Sequence, residues 1–212
     1  MNIEKSLDYF NENLHIKIED ILSEKTCQEL ISKYEEFSVQ NPITTISNKI
    51  IEECSHLVFK DTLNNLLSEY FQCNYSFLCS SFDVVDSSAT QNNYSTRWHL
   101  DGGMDKTLKL FIYLNPVSDH GGNTVMINQE VSKKLRKAKK LPLIGEERIE
   151  DITPILKEMG EKEEEFSYDL NTGDALLFSP LLLAHKCLPP KSGKKRYTIC
   201  FTIVQGDIPS QW

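Results

Sequence analysis

The chain has 212 residues, with 31 acidic side chains against 23 lysines and arginines, for a formal charge of −8 at pH 7. At this length a single domain buries roughly 70% of its unfolded surface, so neither a disulfide framework nor a structural metal is needed merely to fold. The acidic balance argues against a general nucleic-acid binder, which would be basic. The six cysteines, Cys27, Cys54, Cys73, Cys79, Cys187 and Cys200, form no C-x-x-C pair. The expectation is reduced thiols in a cytoplasmic protein. The first residues, MNIEKSLDYFNENL, carry acidic groups where a signal peptide needs a basic and then an apolar stretch. No apolar run approaches the roughly 20 residues that span a bilayer, so no membrane partner is expected.

Residues 1–75 read as helical and auxiliary. Ser23 is placed to cap a helix over KTCQELISKYEEF, where Cys27, Leu30, Ile31, Tyr34 and Phe37 recur at helical spacing. Asp61 opens another, TLNNLLSEYFQ, with Leu63, Leu66, Leu67, Tyr70 and Phe71 in one stripe. Such stripes are the packing faces of helices laid against one sheet. From about Tyr75 the period shortens. SFLCSSFDVV, LKLFIYLN, TVMIN, EFSYDL, DALLFSP, HKCLPP and RYTICFTIV are short and β-rich. Pro116, Gly121-Gly122 and the turn Asn171-Thr172-Gly173-Asp174 punctuate them. The expected fold class is mainly β with flanking helices, a sandwich or jelly roll. The expected organisation is one domain over 1–212, with a helical N-terminal part (1–75) and a jelly-roll core (76–206).

Two stretches stand apart from that rhythm. Asp86–Ser95 is a polar loop of the kind that rims a site. Gln129–Glu164 is mostly charged and reads as an insertion between strands, helical around Ile149–Met159 with Pro154 in an early turn. Its basic run, Lys133–Lys140, reads as a solvated helix face, with an anionic ligand as the alternative. The C-terminal Trp212 packs on the core or on a neighbour, and the sequence leaves that choice open.

The chemistry concentrates in Thr96–Asn115, TRWHLDGGMDKTLKLFIYLN. His99 and Asp101 stand two residues apart, so an extended chain presents both on one face. His185, in LLLAHKCLPP, is the candidate second imidazole. Two imidazoles and one carboxylate leave open positions on a metal, which suits an Fe(II) that takes a bidentate cosubstrate and dioxygen. A structural zinc site would be closed and often thiolate-rich. His15, His56 and His120 lack such a context and read as exposed or packing residues. Arg196 lies eleven residues beyond His185 and opens RYTICFTIV. Its planar guanidinium matches a carboxylate with two parallel hydrogen bonds. Thr198 and Cys200 share its face.

WHLDG, KLFIYLN with the following Gly-Gly, and GDALLF…H…R resemble the motifs of the Fe(II)/2-oxoglutarate-dependent oxygenases, most closely the phytanoyl-CoA dioxygenase-like branch. The resemblance covers about residues 79–204. It implies a double-stranded β-helix, a cupin-like jelly roll with N-terminal helices packed on one sheet. It implies His99, Asp101 and His185 as metal ligands, and Arg196 on the distal carboxylate of 2-oxoglutarate with the Thr198 hydroxyl beside it. Tyr113 sits where related prolyl hydroxylases carry a tyrosine that reaches the cosubstrate. If it faces inward, Phe111 and Lys109 do too, and Lys109 is then a pocket cation or reaches the barrel mouth. Trp98 is a packing wall or a substrate contact.

The implied cofactors are Fe(II), 2-oxoglutarate and O2. A carboxylate at Asp101 favours hydroxylation or desaturation, because related halogenases carry Ala or Gly there. The implied activity is hydroxylation of a C–H bond of a small metabolite, with release of succinate and CO2. A prolyl-hydroxylase-like peptide hydroxylase and a non-catalytic jelly-roll metal-binding module are the alternatives. Neither the substrate nor the oligomeric state is legible.

Overall fold

The computed structural model describes residues 3–38, 43–87, 94–142, 146–162 and 164–207. Trp212, most of the polar loop before His99 and part of the charged insertion lie outside the described residues. In chain order the elements are α1 (Ile3–Asn13), β1 (His15–Ile18), α2 (Glu24–Ser38), α3 (Ile43–Val58), α4 (Asp61–Phe71), β2 (Tyr75–Asp86) and β3 (Thr107–Tyr113). They continue with α5 (Val117–His120), β4 (Asn123–Ile127), α6 (Gln129–Lys137), α7 (Thr153–Glu158), β5 (Glu165–Phe166), β6 (Ala175–Phe178), β7 (His185–Leu188) and β8 (Lys195–Gln205). No described helix is long and apolar enough to cross a membrane.

The strands form two antiparallel sheets. One runs β1-β6-β3-β8-β2 and the other β5-β4-β7. The larger sheet has two chemically different faces, because successive side chains alternate and directly paired residues point the same way. Leu108, Leu110 and Ile112 of β3 and Ile199, Phe201 and Ile203 of β8 form one buried cluster with the N-terminal helices, including Phe10, Leu30, Ile50, Leu63, Leu66, Leu67 and Phe71. Burying each such side chain contributes about 1.5–3 kcal/mol. The helical stripes seen in the sequence are therefore the cover of this face. The opposite face carries Lys109, Phe111 and Tyr113, paired with Thr202, Cys200 and Thr198. Asp83 is paired with Thr198 from the other side. This second, polar face looks toward the smaller sheet.

The N-terminal part is not wholly helical. Residues 15–18 form β1, which pairs with β6 in the register His15↔Phe178 to Ile18↔Ala175. Four residues between two strong helical stripes give too short an alternation to stand out. The turn after Leu170 fixes this edge. Gly173 has φ +85, and a Cβ there would lie 2.0 Å from the Leu22 carbonyl oxygen, so only glycine fits. The buried Asp174 carboxylate accepts from the Asp20 and Asn171 amides at 3.1 and 2.8 Å and pairs with Lys17 at 3.0 Å.

The charged segment after β4 also differs in detail from expectation. Its basic run starts on a helix, as the solvated-face reading expected: α6 carries Lys133–Lys137 and is capped by the Asn128 side chain, which accepts from the Val131 amide at 2.9 Å. The second helix is shorter than expected, Thr153–Glu158, with Pro154 in its first turn. Ile149 is not helical but exchanges backbone hydrogen bonds with Trp98 at 2.7 and 3.2 Å. EFSYDL contributes only the two residues of β5.

Candidate metal centre

The segment bearing His99 and Asp101 is stitched to the smaller sheet through its backbone. The Trp98 exchange with Ile149 is followed by a reciprocal pair between His99 and His185, both at 3.1 Å, and by the Asp101 amide donating to the Pro180 carbonyl at 3.0 Å. Trp98 is buried with Val125, Ile127 and Leu156 and anchors the segment from behind. The Lys186 ammonium lies 4.3 Å from its ring centroid. His185 is the first residue of β7, held in register against Met126 of β4. Two distant stretches of chain are thus brought edge to edge, with their imidazole centroids 4.3 Å apart.

The tautomers follow from the hydrogen bonds. His99 Nδ1 lies 2.7 Å from the Arg97 carbonyl, and His185 Nδ1 lies 3.0 Å from the Leu183 carbonyl. A carbonyl only accepts, so each Nδ1 carries a proton, and in the neutral imidazole Nε2 is then the atom with a free lone pair. Those Nε2 atoms face Asp101 Oδ1 at 3.3 and 3.8 Å. One ligand atom from each of the three residues can be chosen so that all lie within 4.8 Å of one another. Burial, reinforced by the neighbouring His99, pushes the His185 pKa down to about 3, so its imidazole is neutral at pH 7. Burial alone would raise the Asp101 pKa. Contact with His99, the neighbouring His185 and the Lys109 ammonium outweigh it and hold the carboxyl well below the usual range. Three acceptor atoms pointed at one another repel unless a cation stands between them. The donor set therefore fits a divalent metal with open positions.

Arg196 and Thr198 sit on the polar face of β8, and both are buried. The Arg196 Nε and the Thr198 Oγ1 have no hydrogen-bond partner among the described residues. Nor does Arg196 form an ion pair with a described carboxylate at 4.0 Å or less; Cys187, Tyr113 and the inward-facing Asp83 are the groups that stabilise its charge from nearby. A carboxylate-bearing ligand would satisfy both atoms. Tyr113 is fully buried beside them, its hydroxyl 3.3 Å from Asn123 Oδ1 and 3.2 Å from Thr124 Oγ1. Phe178, on the same face, places its ring centroid 5.1 Å from that of His185.

His99, Asp101 and His185 thus come together in one cluster, and Tyr113, Arg196 and Thr198 sit on the inward face of the larger sheet. His56 is exposed. His15 and His120 are buried in other contacts, with the Tyr168 hydroxyl and with the Gly122 amide and Asn115 carbonyl.

Two features were not anticipated. Lys109 ion-pairs with Asp101, its ammonium 2.5 Å from Oδ2. Asp83 lies on the inward face, where burial raises its carboxyl pKa against the pull of Ser81, Arg196 and Lys109. The alternation in SSFDVV was the available signal for Asp83, but a polar residue at a strand's midpoint is usually on the wet side.

No family model matches the chain, and no curated protein matches it. Solved structures do. One is the non-heme alpha ketoglutarate dependent carbocyclase SnoK from nogalamycin biosynthesis, with 13% identity and a TM-score of 0.69, over 96% of this chain and 84% of that one. Another is the epimerase SnoN from the same biosynthesis, with 10% identity and a TM-score of 0.66, over 96% and 82%. A third is EctD from S. alaskensis, solved with 2-oxoglutarate and 5-hydroxyectoine, with 14% identity and a TM-score of 0.64, over 95% and 75%. The chain thus has the jelly-roll fold of these non-haem, 2-oxoglutarate-dependent enzymes.

Proposed function

We propose that the protein is a non-haem Fe(II)- and 2-oxoglutarate-dependent dioxygenase that hydroxylates a C–H bond of a small molecule. One observation carries the reading. Two imidazole Nε2 lone pairs and one carboxylate oxygen converge in a buried site, with both Nδ1 protons tied to backbone carbonyls. The unpartnered Arg196 and Thr198 atoms on the adjoining sheet support a dicarboxylate cosubstrate. SnoN has been solved with Fe3+, alpha ketoglutarate and nogalamycin RO, which supports a small-molecule substrate on this fold.

When bound, iron with 2-oxoglutarate and dioxygen supplies an oxidant able to attack an unactivated C–H bond, with release of succinate and CO2. The chain's own residues do the positioning. His99 and His185 would hold the metal through Nε2, their rings oriented by the Nδ1–H bonds to the Arg97 and Leu183 carbonyls. Asp101 would contribute Oδ1, which faces the two imidazoles, while its Oδ2 is paired with Lys109. Arg196 receives the distal carboxylate of the cosubstrate, with Thr198 donating beside it and Tyr113 closing that end. No acid-base pair is called for.

Anaerobic titration of the metal-free protein with Fe(II) and then 2-oxoglutarate tests this. The expected result is a visible charge-transfer band, lost in His99→Ala and weakened in Arg196→Ala. A folded protein that binds the metal and gives no band on adding 2-oxoglutarate would overturn the reading.

A further inference from the structure

A cavity of about 650 Å³ opens beside the metal-type cluster, reaching from Asp101 and Leu100 to Arg136, Lys139, Leu141 and Glu146 at the end of α6. Its volume is in the range that holds a small ligand. Its lining joins Asp101 of that cluster, the apolar Leu100, Leu141 and Leu181, and the two cations. We propose that the substrate bears an anionic group, a carboxylate or a phosphate ester, that Arg136 and Lys139 hold while its apolar body extends toward Asp101. Which end of the substrate is oxidised rests on the dioxygenase reading above; the anion site does not.

Three observations bear on these two cations. The first is pairing. Within the same basic run, Lys134 pairs with Glu130 at 3.3 Å and Glu161 at 2.8 Å, and Lys140 pairs with Glu158 at 2.9 Å. Arg136 and Lys139 have no carboxylate partner among the described residues; neither do Lys133 and Lys137, but of these four exposed cations only Arg136 and Lys139 line the cavity. Glu146, the carboxylate on the same wall, is engaged in an interaction of its own.

The second is backbone conformation. Lys139 sits at φ 53, the left-handed region that favours glycine. Its amide bonds to the Arg136 carbonyl and that of Lys140 to Leu135, both at 3.0 Å, ending the helix there. A lysine thus stands where glycine is the less strained choice, and Lys139 and Leu141 both line the cavity.

The third is charge. Arg136 and Lys139 offset the Asp101 and Glu146 carboxylates that line the same cavity, in a chain whose net charge is −8. They would concentrate an anion where the protein's overall field repels it.

The test uses four matched probes, hexanoate, hexyl phosphate, hexanol and hexylamine, measured by calorimetry on the full chain. The metal-free protein is measured first, and the series is repeated anaerobically with Fe(II) and saturating 2-oxoglutarate. Hexanoate or hexyl phosphate should bind at least tenfold more tightly than hexanol and hexylamine, and the tighter of the two identifies the anion. That advantage should vanish in the double variant Arg136→Gln, Lys139→Gln and persist in Lys133→Gln, Lys137→Gln. Lys139→Gly separates function from structure: its melting temperature should rise as strain is relieved, while the anion preference falls. The proposal is overturned by no advantage over hexanol, by no binding of any probe, by an equal loss in the control pair, or by a loss confined to Arg196→Ala. Because the metal-free arm needs no iron, a failure of the dioxygenase reading would leave the anion preference standing.

Discussion

The Lys109 ammonium lies 2.5 Å from Asp101 Oδ2, while Oδ1 of the same carboxylate faces the Nε2 atoms of His99 and His185 at 3.3 and 3.8 Å. One carboxylate therefore faces a resident ammonium on one side and, on the other, the two imidazoles with which it could hold a metal. Asp101→Ala strands Lys109 mostly buried without its partner. In metal-free protein this should cost about 1–3 kcal/mol. Lys109→Met added to Asp101→Ala should restore most of that loss, since an apolar side chain of similar length needs no counter-charge. Urea denaturation of both single variants and the double variant checks the coupling. Strict additivity would mean that the pair contributes no stability.

How much of this was legible beforehand depends on the range of each signal. His99 and Asp101 were readable because two-residue spacing in an extended chain is a local rule. The register that brings His185 beside them was not, because it depends on β4 pairing with β7 and on backbone bonds between His99 and His185. The helical stripes around Leu30 and Leu66 were read correctly as cover for a sheet because both are longer than two turns. Strand β1 was missed because His-Ile-Lys-Ile is four residues long and is recruited by the β6 edge. Lys109 could be placed on the inward face by parity with Tyr113, yet its partner could not. The ion pair requires Asp101, eight positions earlier, to reach across from the other sheet's side.

Gly173 has no tolerated substitute. A Cβ would meet the Leu22 carbonyl oxygen at 2.0 Å, and the residue is left-handed as well. Gly173→Ala combines a backbone clash with an unfavourable φ, so it should destabilise by about 3 kcal/mol or more. Gly193→Ala is the comparison. It has φ +73 but no atom within 4 Å of its Cβ, so it should lose only about 1 kcal/mol from the conformation. Thermal melts of the two variants should therefore separate clearly. Equal losses would show that the contact with Leu22 adds nothing.

His15 gives the fold an acid limb. Burial pushes its pKa down to about 4, against an ordinary value near 6.5 in the unfolded chain. Between those values the unfolded state binds a proton that the native state does not. Stability therefore falls as pH drops from about 6.5 to 4, by at most about 1.4 kcal/mol per unit from this one group. His15→Gln should be less stable at pH 7, because the 2.7 Å contact with the Tyr168 hydroxyl is weakened. Its dependence on pH should be shallower, so the two curves converge toward pH 4. Parallel curves in urea unfolding over pH 4–8 would exclude His15 as a source of the slope.

Thr198 should reveal the cosubstrate position through effects of opposite sign. Its Oγ1 is buried and has no hydrogen-bond partner among the described residues. An unmade hydrogen bond at a buried hydroxyl is a standing cost, so Thr198→Val should leave the ligand-free protein as stable as the parent or more so by up to about 1 kcal/mol. If that hydroxyl donates to the carboxylate held by Arg196, the same change should weaken 2-oxoglutarate binding about tenfold, the equivalent of one such bond. Melting curves without ligand and the 2-oxoglutarate dependence of the charge-transfer band measure the two effects on one sample. A loss of stability with unchanged cosubstrate affinity would mean that the hydroxyl serves the fold and not the ligand.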